Sequence, residues 1–194
     1  MKKLLIHTCC APCFIYIEND LKENGVLYED GTREKVSYTA CWYNPNIHPL
    51  VEYNRRKNTF EDFCKRHECD YVILDHYDLN EYVRYVVENV GKDKKYLVRC
   101  EYCYYMRLKE VFEYAKKNQY DMVSTTLTIS PYQKHEIIKK VGKMLEEEYQ
   151  IPFLYLDYRE HFREGQKMAR EDGLYMQKYC GCVFSIDEGK WKYE

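Results

Sequence analysis

Short apolar runs alternate with longer amphipathic stretches along this chain. Five runs have the length and the apolar or alternating pattern of buried β-strands, and they cover residues 4–8, 35–43, 71–75, 121–126 and 153–157. The stretches between them repeat apolar side chains at helical spacing, and they cover residues 14–24, 49–66, 80–88, 100–117 and 134–149. The pattern therefore predicts strands and helices that follow one another in turn.

This alternation predicts an α/β fold, a parallel sheet flanked by helices. A length of 194 residues suits one domain, and no linker or repeat divides the sequence, so we expect a single α/β domain over residues 1–194. An amphipathic run at residues 167–171 indicates a helical C-terminal segment, which we expect to close the metal site described below. Ligands of such sheets bind at the carboxyl ends of the strands. We therefore expect the functional residues in the loops that follow the strands.

The composition indicates in which compartment the protein works and which kinds of partner it can bind. The net charge of −2 gives no overall attraction to a polyanion, so a nucleic-acid partner must meet a local patch. The apolar start of the chain is too short for a signal peptide, and no stretch has the apolar length of a membrane helix. We expect a cytoplasmic protein with no membrane contact. In that reducing compartment, ten cysteines favour metal binding or redox chemistry over disulfides.

Seven of the ten cysteines form three groups. The groups are Cys9, Cys10 and Cys13 after the first strand, Cys100 and Cys103 at the start of a helix, and Cys180 and Cys182 near the C-terminus. Iron–sulfur clusters accept such irregular spacing, because each iron takes one thiolate from anywhere in the fold. The remaining three, Cys41, Cys64 and Cys69, stand alone in the sequence and are predicted to be ordinary core or surface residues.

One complete set of four cluster ligands consists of Cys9, Cys10, Cys100 and Cys103. Cys180 and Cys182 are then available for a second, mononuclear metal or for a redox-active dithiol, and Cys13 is a spare ligand. One or two structural zinc sites are the alternative. The sequence pattern therefore indicates a metal centre and leaves its type open.

Five segments, in order along nearly the whole chain, resemble the cobalamin-independent epoxyqueuosine reductases, the QueH family. They are HTCCAPC from residue 7, YNPNIHPxxEYxxR from residue 43, CxxCYxxRL from residue 100, STTLTISPYQ from residue 124 and YxQxYCGCxxS from residue 175. A single CxxC pair is common, but this ordered series is specific.

The resemblance implies an oxidoreductase that reduces the epoxide of epoxyqueuosine, at the wobble position of a tRNA anticodon, to the cyclopentene of queuosine. It implies a fold related to the nucleotide-binding HUP group, a [4Fe–4S] cluster, a second iron nearby and an external electron donor. By motif, the cluster ligands are Cys9, Cys10, Cys100 and Cys103, and the second-iron ligands or redox pair are Cys180 and Cys182.

Further side chains of these motifs are candidates for substrate binding and proton transfer. His48 is the candidate proton donor, because a histidine titrates near neutrality. The other candidates are Asn44, Asn46, Thr126, Ser130, Tyr132 and Arg107. The two asparagines either bind substrate hydroxyls or form turns. Thr126 and Ser130 either bind an anion or end the strand before them. Tyr132 either stacks on an RNA base or belongs to the core.

Two other classes of protein remain as alternatives. The first is a HUP-type ATP pyrophosphatase or thiolation enzyme acting on tRNA, which needs a glycine-rich phosphate loop after its first strand. Here that loop contains Cys9, Cys10 and Pro12 and no glycine, which argues against ATP. The second is a zinc-binding adaptor without redox chemistry.

Overall fold

A sheet of four parallel strands forms the centre of the fold, in a computed structural model that describes residues 1–28 and 30–185. In chain order, the elements are β1 (Lys3–His7), α1 (Ala11–Asn24), β2 (Val26–Leu27), β3 (Arg33–Glu34), β4 (Ser37–Trp42), α2 (Leu50–Arg66), β5 (Tyr71–Ile73), α3 (Leu79–Asn89), α4 (Arg99–Lys117), β6 (Met122–Thr125), α5 (His135–Tyr149) and α6 (Phe162–Glu171). The predicted α/β class is confirmed.

The order of the strands creates a crevice beside β1. The central sheet runs β5, β4, β1, β6, while β2 and β3 form a separate antiparallel pair. The chain leaves β1 toward β4 and β5 on one side and returns with β6 on the other. The carboxyl ends of β1 and β6 therefore border the switch point of the sheet, where α/β proteins bind their ligands.

Helices cover both faces of this sheet, as the apolar run in β1 requires. Leu4 and Ile6 pack on the face shared with α1 and α2. Leu5, between them, packs on the opposite face with α4 and α5. All three side chains are at most 1% exposed, which is the pattern of a parallel strand buried on both sides.

The fifth predicted strand, at residues 153–157, is wrong. The segment makes one parallel bridge, between Phe153 and Val123 of β6. The side-chain hydroxyl of Ser124 donates to the Leu154 carbonyl at 2.8 Å, and β6 itself turns into a 3-10 helix after Thr125. The ladder therefore stops, because its partner strand ends and a side chain takes the carbonyl that a ladder would use.

The C-terminal part of the described chain begins with α6, which confirms the predicted helical segment and packs against α1. Residues 174–182, here called the strap, follow it without helix or strand except for one bridge from Cys182 to Ile47. The strap contains Gln177, Cys180 and Cys182. Within the part of the chain described, each helix is too short or too polar to cross a membrane.

Candidate metal centre

Three cysteine sulfurs meet where β1 runs into α1. The Sγ atoms of Cys9, Cys10 and Cys13 all lie within 4.8 Å of one another. Cys10 is the extended residue that precedes α1, and the Cys13 N–H donates to its carbonyl at 3.2 Å, so both belong to the first turn. The positive end of the helix dipole favours thiolates at this position. The local fold alone therefore presents three sulfur ligands together.

Neighbouring groups favour negative charge on one of these sulfurs. Hydrogen bonds from Cys10 and Cys13 lower the pKa of Cys9 well below its ordinary value, and the charge of Arg107 and the hydroxyl of Thr126 add to the effect. Burial raises the pKa of Cys10. Of the three sulfurs, Cys9 is therefore the one whose surroundings favour the thiolate, and deprotonated sulfur is the form that binds metal.

Arg107, one turn further along α4 than Cys103, connects this helix to the loop after β4. Among the described residues, Cys100 and Cys103 do not belong to the group of sulfurs within 4.8 Å of one another. Arg107 is 2% exposed, lies 3.8 Å from Cys103 Sγ through its Nη1, and donates to Asn44 Oδ1 at 2.6 Å through its Nη2. Burial lowers the pKa of Arg107, and electrostatic interaction with the Cys103, Cys9 and Cys180 sulfurs outweighs that effect and raises it. A buried guanidinium requires polar partners, and here the Cys103 sulfur and the Asn44 side-chain oxygen provide them.

The strap brings the third cysteine group to the same place. Its Gln177 donates from Nε2 to Cys10 Sγ at 2.7 Å. Cys182 Sγ lies 3.5 Å from the Tyr82 hydroxyl. Burial raises the pKa of Cys103 to about 12, and electrostatic interaction with Cys182 and Cys180 adds to the rise. Cys182 also packs in one apolar cluster with Tyr102 of α4.

The loop after β4 contains two asparagines with different surroundings. Asn44 is fully buried: its amide donates to the Thr8 carbonyl at 2.9 Å, and its Oδ1 accepts from Arg107. Asn46 is 1% exposed, and neither end of its amide has a hydrogen-bond partner among the described residues. Asn44 therefore supports the framework, whereas Asn46 is available to a ligand.

The two histidines of this region differ in the same way. The Nε2 of His7 bonds to the Tyr43 carbonyl at 3.3 Å and its Nδ1 to Thr125 Oγ1 at 2.8 Å, so His7 is a satisfied core residue. His48 is 1% exposed, and both ring nitrogens lack partners among the described residues. Burial lowers the pKa of His48 to about 4, so it is a neutral imidazole at pH 7.

The hydroxyl-rich loop after β6 contacts the cysteines at Thr126 and at Gln133, whose Nε2 lies 4.0 Å from Cys180 Sγ. Thr126 Oγ1 accepts from the Cys9 N–H at 3.0 Å and donates to Cys9 Sγ at 3.3 Å. Ser130 instead organises its own loop, since its hydroxyl accepts from the Tyr132 N–H at 3.3 Å. Tyr132 is 79% exposed, with its ring edge-on to Phe162 at 5.7 Å between centroids.

The structure adds to the sequence prediction at two residues of this site, Cys13 and Tyr82. Cys13, predicted as a spare ligand, lies with Cys9 and Cys10, and the Cys10-x-x-Cys13 spacing across one helical turn was a sufficient signal for this. Tyr82 beside Cys182 was not singled out, and nothing in the sequence distinguishes it from the other tyrosines. The lone Cys41, Cys64 and Cys69 are buried core residues, and all ten cysteines are free.

The donor set suits an iron–sulfur group. It offers thiol sulfurs only, three of them already close together, with a buried cation and with hydrogen bonds directed at the sulfurs. These are the features by which proteins hold such clusters and set their potentials.

Comparison with known proteins agrees with this chemistry. The family model described as epoxyqueuosine reductase QueH matches residues 4–188. The chain is 32% identical over 183 residues to epoxyqueuosine reductase QueH of Dehalococcoides mccartyi, covering 94% of this chain and 92% of that protein. It is 31% identical to the QueH of Thermotoga maritima, covering 100% and 95% of the two chains.

A solved structure shares the fold. The U34-tRNA thiolase NcsA from Methanococcus maripaludis, determined with its [4Fe–4S] cluster, superposes with a TM-score of 0.58 at 15% identity. The match covers 95% of this chain and 61% of that one, and at this identity it shows the fold alone. The family is shown by the match of residues 4–188 and by the full-length relatives: the chain belongs to the epoxyqueuosine reductase QueH family.

Proposed function

We propose that this oxidoreductase reduces the epoxide of epoxyqueuosine, at the wobble position of a tRNA anticodon, to the cyclopentene of queuosine. The observation that carries the proposal is the group of Cys9, Cys10 and Cys13 at the switch point of the sheet, in a chain of the QueH family. The thiolation alternative lacks support here, because the loop after β1 presents sulfur ligands and no glycine to approach a phosphate.

The electron count of the reaction indicates which cofactors the chain must bind. Removing the epoxide oxygen as water takes two electrons and two protons, and iron–sulfur iron supplies electrons when it is bound. The proposed cluster ligands are Cys9, Cys10, Cys100 and Cys103, and the proposed ligands of a second, mononuclear iron are Cys180 and Cys182. The position of Cys13 makes it a further candidate for either metal.

Hydroxyl groups of the substrate are the proposed ligands of Asn46 and His48. Both side chains are buried with unpartnered polar atoms among the described residues, and a buried polar group without a partner is costly. Substrate hydroxyls satisfy an amide at both ends and an imidazole at one N–H. We propose that this N–H of neutral His48 donates a hydrogen bond to the leaving oxygen and stabilises the negative charge that develops there, because a ring with a pKa of about 4 carries no acidic proton at pH 7.

The remaining candidates divide between framework and RNA contact. Asn44, Arg107 and Thr126 bond to one another or to Cys9 and Cys103, so we assign them to support of the metal centre. Ser130 shapes the loop that presents Tyr132. We propose that an anticodon base stacks on the exposed Tyr132 ring, since aromatic faces read unpaired RNA bases.

Two further proposals concern the surroundings of the protein. The electrons come from an external donor that reduces the bound iron. The protein works in the cytoplasm, where tRNA is modified and where ten free cysteines stay reduced.

The test uses the chain loaded anaerobically with iron and sulfide. Epoxyqueuosine-containing tRNA is incubated with it and a strong chemical reductant, and the mass of the digested nucleoside is measured. The expected result is loss of one oxygen. An unchanged nucleoside with fully loaded protein contradicts the proposal, and a gain of sulfur with consumption of ATP supports the thiolation alternative.

A further inference from the structure

The strap is held against α2 by side chains. Just before it, Asp172 binds both terminal nitrogens of Arg66, at 3.0 and 2.7 Å. Within it, the Tyr175 hydroxyl donates to Glu52 at 2.9 Å, and the Arg55 guanidinium lies 3.9 Å from the centre of the Tyr175 ring. A segment with one backbone bridge depends on such contacts for its path.

Arg56 makes the contact nearest to the cysteines. It is 3% exposed and pairs with Glu52 at 2.6 Å. Its Nη2 donates to the Tyr179 carbonyl at 2.9 Å and its Nη1 to the Cys180 carbonyl at 3.2 Å, and the guanidinium lies 5.0 Å from the centre of the Tyr179 ring. One planar fork thus holds two successive carbonyls, which a lysine's single ammonium does not match.

The next residue of the strap fits closely against this fork. Gly181 has a φ of +102°, and a Cβ there would lie 3.0 Å from both Arg56 Nη1 and Ile47 Cγ1. The Gly181 carbonyl accepts from the His48 N–H at 2.8 Å. The turn between the two cysteines is therefore fixed from two sides, by α2 and by the loop that precedes it.

We infer that Arg56 is a positioning residue: its guanidinium fixes the turn from Tyr179 to Cys182, so that Cys180 and Cys182 stay beside the cysteines of α4. Although its side chain is charged, Arg56 is buried and acts as an internal anchor. Its consequence for catalysis rests on the proposed function, because it assumes that Cys180 and Cys182 hold iron. The anchoring itself does not depend on that assumption.

The test measures how fast each cysteine of the full-length, anaerobic chain reacts with iodoacetamide, by mass spectrometry. Cys182 is 9% exposed and reacts slowly while the turn is held, whereas Cys180 is exposed and serves as an internal reference. In Arg56→Gln, the alkylation rate of Cys182 is expected to rise at least about tenfold. Cys103, 6% exposed on α4, stays slow, which separates release of the strap from general unfolding.

Arg55→Gln is the matched control, because Arg55 is exposed and contacts only the Tyr175 ring of the strap. It is expected to leave the Cys182 rate within about twofold of the wild type. Gly181→Ala is the second variant. Its methyl group pushes the turn away from Arg56 while the Arg56–Glu52 pair stays intact. If Arg56→Gln does not fold, the Cys182 alkylation rate of Gly181→Ala tests the inference.

Two outcomes overturn the inference: an unchanged Cys182 rate in both Arg56→Gln and Gly181→Ala, or an equal rise in Arg55→Gln. After loading with iron and sulfide, the released variants are expected to lose iron but no acid-labile sulfide. If alkylation rises and the wild type fails to deoxygenate the nucleoside, the anchor stands and the proposed function fails.

Discussion

Two sets of buried polar side chains surround the cysteines, and they differ in how their hydrogen bonds are met. On the satisfied side, His7, Asn44 and Thr126 bond to the backbone, to Arg107 or to Cys9. On the open side, five polar atoms have no partner among the described residues, two on Asn46, two on His48 and one on Gln177. On the satisfied side, Arg107 Nε is the exception, since it also has no partner in the described part of the chain.

The difference separates framework from recognition. A buried polar atom without a partner costs about 1–3 kcal/mol, so a fold under selection for stability alone does not keep five of them in one region. The satisfied side stabilises the folded chain whether or not anything binds. The open side destabilises it until a polar group satisfies these atoms, which agrees with the substrate contacts proposed above for Asn46 and His48.

The largest expected effect is at Cys10, which links the two sides because Gln177 of the open side donates to its sulfur. Cys10→Ala is expected to abolish iron and sulfide loading and deoxygenation, since it removes the central member of the sulfur group. Iron content and the absorbance of the reconstituted protein measure this. Cys69→Ala, which changes a buried thiol bonded to Glu18, is the control and keeps normal loading; full activity in Cys10→Ala contradicts the assignment.

The asparagine pair gives the next largest effect and the sharpest contrast. Asn44→Ala leaves the buried Arg107 without its amide partner, so the free energy of unfolding is expected to fall by about 1.5–3 kcal/mol. Asn46→Ala removes no bond within the described chain, so stability is expected to hold while kcat/KM for the tRNA falls about 10–100-fold.

Urea unfolding and steady-state kinetics on both variants check this prediction. The comparison between the two sides fails if Asn46→Ala loses as much stability as Asn44→Ala, or if Asn44→Ala alone affects turnover.

The local sequence pattern was enough to predict the four parallel strands and the main helices. The continuous apolar run of β1 indicates burial on both faces, and the helical spacing of apolar residues in α4 indicates its buried face. The segment at residues 153–157 has an equally apolar pattern and failed as a strand. Whether it pairs depends on the length of β6, which lies 30 residues away. Pairing between distant segments is a property that no local window contains.

The site follows the same division. Residue type singled out the cysteines, since few other side chains bind iron. It did not distinguish Asn44 from Asn46, two positions apart in one loop, because the bond that decides reaches Arg107, 63 residues away. The burial of Arg56 is beyond local pattern for the same reason: the strap carbonyl that it binds lies 124 residues further along.

The histidine pair predicts a pH effect of intermediate size. Burial lowers the pKa of His48 to about 4, below the value of about 6.5 in the unfolded chain. Between these values the unfolded state binds more protons, so the free energy of unfolding falls as the pH falls, by up to about 1.4 kcal/mol per pH unit for this histidine.

His48→Gln removes the titration and no hydrogen bond within the described chain, so its unfolding free energy is expected to match the wild type at pH 7 and to fall less steeply toward pH 4. Urea unfolding across pH 4–7 measures the slope. Since His7 also titrates low, at about 3, part of the slope remains in the variant; an unchanged slope shows that His48 is not buried in its neutral form.

The smallest expected effect tests the satisfied side at Thr126, whose hydroxyl donates to Cys9 Sγ at 3.3 Å. Hydrogen bonds to sulfur ligands raise the potential of an iron–sulfur group, and a net bond of about 0.5–1.5 kcal/mol corresponds to about 20–60 mV for one electron. Thr126→Val is therefore expected to lower the potential of the loaded protein by that amount in an EPR-monitored redox titration. Thr128→Val is the matched control, because Thr128 is equally buried and donates to the Thr125 carbonyl instead. Equal shifts in the two variants attribute the effect to general loosening of the loop, whereas a shift in Thr126→Val alone assigns it to the bond at Cys9.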